Sequence, residues 1–154
     1  MRTTSPAGIS LIQRFEGCRL TPYRDIAGVW TVGYGHTATA ASLAATGITL
    51  SQGEATELLR RDLRTTEAAV NAATEDVELS QSQFDALVSL TFNIGVTAFR
   101  ESTLLKRLLS GDVAGAAAEF GRWVIAGKKV VPGLVARRKA EAELFSSPRN
   151  KAPA

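Results

Sequence analysis

Phe15-Glu16-Gly17-Cys18-Arg19-Leu20-Thr21-Pro22-Tyr23-Arg24-Asp25-Ile26-Ala27-Gly28-Val29-Trp30-Thr31-Val32-Gly33-Tyr34-Gly35-His36-Thr37 is the stretch on which the fold turns, because it carries the main β signal of an otherwise helical sequence. β-branched and aromatic residues over 19–25 and 29–37, separated by Ile26-Ala27-Gly28, spell an antiparallel hairpin, with a third short strand expected near Ile48. Upstream, Thr4-Ser5-Pro6 leads into Ile9, Leu11, Ile12 and Phe15, and Gly17 stops the run. A short helix therefore ends at or next to Glu16. From Ser51 onward the pattern is helical. Ser51-x-x-Glu54 is a capping box that opens a helix to about Ala73, and Ser80-x-x-Gln83 opens another through Phe84, Leu87, Val88 and Phe92 to Asn93-Ile94-Gly95. Further helices are expected over Ser102–Leu109, from Asp112 through Phe120 and Trp123, and, preceded by Pro132-Gly133, a final one with Leu134, Leu144 and Phe145, closed by Ser146-Ser147-Pro148.

The fold class expected is α+β, within a single domain over 1–154. A small N-terminal lobe of about 1–50 holds one helix and a short antiparallel sheet, an interlobe helix covers about 51–73, an all-helical lobe covers about 74–146, and 147–154 is a loose tail. A cleft between two such lobes is the expected binding place. At 154 residues, with 45% hydrophobic and 21% charged side chains, the chain is long enough to bury a core unaided. One Cys makes no internal disulfide, and one His with one Cys makes no zinc site of those types, so no metal and no cofactor are expected. No stretch nears ~20 apolar residues and Met1 to Ser10 lacks a signal-peptide core, so neither stable membrane insertion nor export by this chain itself is expected. Charge is uneven: residues 71–99 carry four acidic and no basic side chains, while 100–154 carry eleven basic and five acidic. The basic last third attracts a polyanion or simply forms a solvated helix face.

Glycosidic bonds are cut by a carboxylic acid that protonates the leaving oxygen and a carboxylate that activates water or attacks the anomeric carbon. Glu16 and Asp25 are the obvious pair. The negative end of a helix dipole favours a proton on a carboxyl at Glu16, which suits the acid, and a solvated Asp25 before the turn suits a base or electrostatic stabiliser. If the hairpin is centred on Gly28, Asp25 and Thr31 lie directly opposite, roughly 5 Å apart at Cβ, and could hold one water between them. A Glu and an Asp nine apart are common, however, and on spacing alone a capped helix beside a surface carboxylate is the commoner meaning.

The segment resembles the phage-type lysozymes, glycoside hydrolase family 24, whose signature is a Glu, eight residues, an Asp, five residues and a Thr. Glu16, Asp25 and Thr31 match it, inside Tyr-x-Asp-x-x-Gly-x-Trp-Thr-x-Gly-Tyr-Gly-His-Thr over Tyr23 to Thr37. Gln83 to Val88 with Phe92-Asn93-Ile94-Gly95 is similar to the family's central helix, and Gly133-Leu134-x-x-Arg137-Arg138-x-x-Glu141 to its last one, so the resemblance spans roughly 5 to 146. It implies a lysozyme-like fold and an endolysin, a muramidase hydrolysing the β-1,4 bond between N-acetylmuramic acid and N-acetylglucosamine in peptidoglycan. Glu16 would be the general acid, Asp25 and Thr31 would position the water, and the anomeric centre would invert. The implied protein is a monomer that waits in the host cytoplasm until a separate holin-type pore admits it to the wall, with no nucleic-acid partner. The rival enzyme is a lytic transglycosylase, and the rival outside enzymes is a silent wall-binding or nucleic-acid-binding domain.

Other residues divide between function and structure. Thr37 and Phe92 match positions that line the saccharide cleft in relatives, although core packing accounts equally well for Phe92. Arg137 and Arg138 meet peptide-stem carboxylates or pair with Glu141 or Glu143 on their own helix. His36, beside Gly33 and Gly35, is expected as a structural hydrogen-bonding residue, and the two glycines are expected to let the backbone come close to a neighbouring element or to the sugar. Cys18 is expected as a buried small hydrophobe, and Trp30 and Trp123 as buried rather than sugar-stacking.

Overall fold

A computed structural model describes residues 1–148; the expected tail from Arg149 lies outside them. The chain divides into two compact units, Ile12–Arg64 and the remainder, each with its own core.

In the unit of Ile12–Arg64, strands β1 (Arg19–Arg24) and β2 (Trp30–Gly33) form a two-stranded antiparallel sheet, and helix α2 (Ala40–Ala45) packs against both. α2 was not expected. Its Thr39 N-cap makes no capping bond to the helix, because the Thr39 hydroxyl lies 2.8 Å from His36 Nε2. The strand expected near Ile48 does not form; Leu50 instead gives a single backbone N–H to the Leu20 carbonyl at 2.9 Å. Ile12, Val32, Ala40, Leu50, Ala55, Leu59 and Leu63 are buried.

Two helices run through both units. α1 (Pro6–Glu16) starts on Pro and stops at Gly17, whose φ of 71° is the left-handed value that ends helices. α3 (Gln52–Ala73) opens with the expected box: Glu54 N–H donates to Ser51 Oγ at 3.1 Å and Ser51 N–H to Glu54 Oε1 at 2.9 Å. The Ser51 backbone N–H, and after it the Ser51 hydroxyl, hold the Glu54 carboxyl below its usual value.

The larger unit centres on α4 (Gln81–Ile94), capped reciprocally by Ser80 and Gln83 and buried continuously from Phe84 to Thr91. α8 (Pro132–Phe145) packs along it. Between them run α5 (Val96–Glu101), α6 (Thr103–Leu109), α7 (Val113–Glu119), a 3-10 turn over Phe120–Arg122, and a hairpin of β3 (Ile125–Ala126) and β4 (Lys129–Val130). Sequence periodicity placed α6 and the Asp112 cap of α7 but missed α5 and this hairpin.

The start of α1 is fixed by two acidic side chains. Glu67 accepts from the Thr4 backbone at 2.7 Å and the Thr4 hydroxyl at 2.6 Å, while Asp85 accepts from Ser5 N–H at 3.0 Å, the Ser5 hydroxyl and Gln81 Nε2 at 2.8 Å. Gly8 lies against this cluster, where a Cβ would come 2.7 Å from Asp85 Cγ and 2.6 Å from Thr4 Cγ2. Neither neighbour is free to retreat. Gly8→Ala is therefore expected to destabilise the fold by about 1–3 kcal/mol, the usual cost of overpacking, although Ala is the better helix former. A thermal midpoint at or above the parent's would show that the cluster yields.

Candidate active site

The β1–β2 hairpin holds two of the three expected catalytic side chains, Thr31 on β2 and Asp25 in the turn directly after β1. Asp25 N–H donates to the Val29 carbonyl and Gly28 N–H to the Asp25 carbonyl, both at 2.9 Å, and Gly28 has φ of 80°. These bonds define a type I turn closed by a left-handed residue, the common three-residue hairpin loop. The loop is Ile26-Ala27-Gly28, as expected, but its centre is Ala27. The register is Tyr23 opposite Thr31 and Arg24 opposite Trp30, so Asp25 faces Val29 and not Thr31. The glycine is not the midpoint because this turn needs positive φ at its last position, which Gly28 supplies. Because the shift amounts to two residues, Asp25 and Thr31 stay on one face as diagonal neighbours, with a typical separation of roughly 7–8 Å.

Both side chains are held by the turn itself. Asp25 Oδ1 accepts from Ala27 N–H and Val29 N–H, each at 2.9 Å, which anchors one carboxylate oxygen and leaves Oδ2 with no protein partner among the described residues. Asp25 as a residue is exposed. Thr31 is only 5% exposed, and its hydroxyl donates to the Val29 carbonyl at 3.0 Å. With its proton committed, Thr31 Oγ1 faces any further partner as an acceptor. Glu16 is half-buried, the last residue of α1.

Beyond Thr31 the chain doubles back. Val32 and His36 exchange backbone hydrogen bonds of 2.8 and 2.9 Å around Gly33, Tyr34 and Gly35, and both glycines have positive φ, 65° and 83°. His36, 6% exposed, places Nδ1 2.9 Å from Asp62 Oδ2 and accepts the Thr39 N–H on Nε2 at 3.2 Å. A neutral ring with its proton on Nδ1 satisfies both contacts. The ring thus ties the strand that carries Thr31 to α3. Asp62 and Thr39 were missed from sequence; Asp62 lies 26 residues from His36, a separation at which no local pattern operates.

The remaining candidates are scattered. Thr37 is exposed just past the loop and Phe92 is half-buried on α4. Arg137, grouped with the substrate-binding residues, is 3% exposed. Its Nε lies 3.2 Å from Glu141 Oε2 and its Nη2 donates to the Ser89 carbonyl at 3.1 Å. Arg138 joins the same carboxylate, 2.7 Å from Oε1, and Ser89 Oγ also donates to it. The in-helix ion pair is thus a contact Arg137 makes, and a guanidinium so enclosed does not reach out from the surface. Burial pushes the Glu141 carboxyl above its ordinary value, outweighing the opposing pull of Arg138, Ser89 and Arg137. Cys18 is exposed in the link between α1 and β1 rather than buried, and Trp30 and Trp123 are each half-exposed. Trp30 lies under the Arg24 guanidinium, 5.0 Å from its ring centre.

Residues 13–141 match the phage lysozyme family. The chain belongs to that family. This phage lysozyme is 47% identical over 147 residues to the endolysin of Acyrthosiphon pisum secondary endosymbiont phage 1, across 93% of this chain and 97% of that protein. Among solved structures it is similar to the muramidase domain of SpmX from Asticaccaulis excentricus, at 38% identity and a TM-score of 0.86 over 96% of this chain and 100% of that one. It is equally close to a crystal structure of a P22 lysozyme mutant, at 37% identity and a TM-score of 0.85 over the same shares. The lysozyme-like α+β fold expected from sequence is therefore the fold observed. The chain is a glycoside hydrolase of the lysozyme type. Among its described residues, no helix is long and apolar enough to cross a membrane.

Proposed function

We propose that this phage lysozyme is an endolysin that hydrolyses the β-1,4 bond between N-acetylmuramic acid and N-acetylglucosamine in peptidoglycan, with Glu16 as general acid and with Asp25 and Thr31 holding the attacking water. The observation that carries the reading is the state of the hairpin's two oxygens: Asp25 Oδ2 has no protein partner among the described residues, and Thr31 Oγ1 has already given its proton to the Val29 carbonyl. Both can only accept from a water between them. Such a water donates one hydrogen to each, and both its lone pairs stay free, one of them to attack the anomeric carbon. Asp25 removes the proton as the bond forms, Glu16 delivers its own to the departing oxygen, and attack from the face opposite the leaving group inverts the centre.

Two substitutions separate base from positioner. Asp25→Asn keeps an oxygen for the Ala27 and Val29 amides and so keeps the turn, but it loses the base, and kcat is expected to fall about 10²–10⁴-fold. Thr31→Val keeps the shape and removes one acceptor, with a smaller loss expected in kcat than in the Asp25 variant. Equal activity of the Asp25→Asn enzyme and the parent would remove Asp25 from the mechanism. The bond itself is tested on purified sacculi: new reducing ends are expected without new free amino groups, and the reverse would mean peptide-bond cleavage.

Delivery through a separate holin-type pore, with the enzyme held in the host cytoplasm until then, completes the proposal. Bacteria expressing the chain alone are expected to stay turbid until the inner membrane is permeabilised. Lysis on expression alone would replace the pore with self-export.

A further inference from the structure

The face of the β1–β2 hairpin that carries Thr31 holds a further polar group, which the chemistry above leaves unused. Residues opposite one another across two strands share a face, so Tyr23 stands on the same side as Thr31, and Asp25, two residues on, stands there too. Arg19, at the start of β1, reaches along this face: its guanidinium carbon lies 4.3 Å from the centre of the Tyr23 ring. Such a stack holds the flat of the guanidinium and leaves its edge, where the N–H donors are, to other partners. Arg19 is exposed and makes no ion pair or side-chain hydrogen bond among the described residues. The other stacked arginines of this unit are placed differently. Arg24 lies over Trp30, its cross-strand partner on the reverse face, and Arg14 lies over Phe15, its neighbour on α1.

A planar fork with open donors, held beside the place where the reacting sugar lies, is suited to a carboxylate. On the reading above that sugar is N-acetylmuramic acid, whose anomeric carbon meets the water of Asp25 and Thr31. The same ring carries, on its C3 oxygen, a lactyl group that ends either in a free carboxylate or in a stem peptide with carboxylates of its own. N-acetylglucosamine and its polymers carry neither. We propose that Arg19 binds the carboxylate borne on the muramic acid side group and so sets a preference for peptidoglycan over uncharged glycans. The inference rests on the muramidase reading for the placing of the sugar, and it makes Arg19 a specificity residue with no part in proton transfer.

Equilibrium binding tests it without hydrolysis. Soluble peptidoglycan tetrasaccharides are titrated calorimetrically into the full chain carrying Glu16→Gln, with and without Arg19→Gln. The probes are strands with stem peptides, strands stripped of their stems to leave free lactyl carboxylates, and stem-bearing strands with every carboxylate converted to its amide. Arg19→Gln is expected to weaken binding of a carboxylate-bearing probe about tenfold, the effect of losing one charge-assisted contact, with circular dichroism unchanged. A loss on stem-bearing strands alone assigns the carboxylate to the peptide, and a loss on stripped strands alone assigns it to the lactyl group. On the amidated strands the difference between the two chains is expected to vanish. Arg19→Lys keeps the charge without the fork or the flat stack, and is expected to recover only part of the loss. Equal binding with and without Arg19→Gln on both carboxylate-bearing probes overturns the inference. So does a loss that persists undiminished on the amidated strands, which would make Arg19 a support of the hairpin alone. Failure of the muramidase reading shows itself separately, as a parent enzyme that releases no reducing ends from sacculi.

Discussion

Glu16→Gln is expected to abolish clearing of permeabilised cells while leaving the fold intact. Gln has nearly the shape of Glu and keeps a polar group at the end of α1, but it has no proton to give the leaving oxygen. A positioned acid contributes about 10²–10⁴ to the rate of such reactions, and the leaving sugar oxygen departs poorly without one, so a loss toward the upper end is expected. Turbidity of chloroform-treated cells measures it, with the thermal midpoint as the control for folding. Parental clearing by the Gln enzyme would leave a carboxylate at this position with a structural meaning only, and the search for the acid would begin again.

Glu141→Ala is expected to cause the largest loss of stability of any single change proposed. Glu141 is fully buried and faces two guanidinium groups, themselves only 3% and 2% exposed, and Ser89. Removing the carboxylate leaves two buried cations facing each other, a situation that costs about 3–5 kcal/mol in other proteins. For a chain of this length that corresponds to a fall in Tm on the order of 10 °C. Burial raises the carboxyl of Glu141 despite both arginines, so desolvation is the dominant effect on this group. The network is therefore not expected to outperform apolar packing. Replacing all three members together by Leu and Met is expected to recover most of what the single substitution loses. A triple variant as unstable as the single one would show that the charges themselves, rather than their imbalance, hold α8 against α4.

These residues also mark where sequence reading stops. Capping boxes were legible because they close within three residues: Ser51 with Glu54 and Ser80 with Gln83 both form as expected. The loop Ile26-Ala27-Gly28 was legible from its glycine, but its register depended on turn type, and the consequence was a two-residue displacement of Asp25 from Thr31. Helix α2 was hidden because the hydroxyl that should have announced it belongs to His36, and the β3–β4 hairpin because a lysine occupies a left-handed position. For Arg137 the sequence left open a peptide-stem carboxylate or a pair with Glu141 or Glu143 on its own helix; the pair with Glu141 forms, but only tertiary packing shows that α8 turns Arg137, Arg138 and Glu141 inward. The proposed site of Glu16, Asp25 and Thr31 drew its meaning from a resemblance to a family, since a Glu and an Asp nine apart carry little information alone.

The central claim is that water, held by Asp25 and Thr31, attacks the muramic acid carbon. Digestion of purified peptidoglycan in ¹⁸O-labelled water, followed by mass spectrometry of the released muropeptides, tests it directly. Each product is predicted to end in a reducing N-acetylmuramic acid carrying one ¹⁸O at its anomeric carbon. Muropeptides ending in unlabelled 1,6-anhydro-muramic acid as the main product would contradict it, because the substrate's own hydroxyl, and no water, would then have attacked.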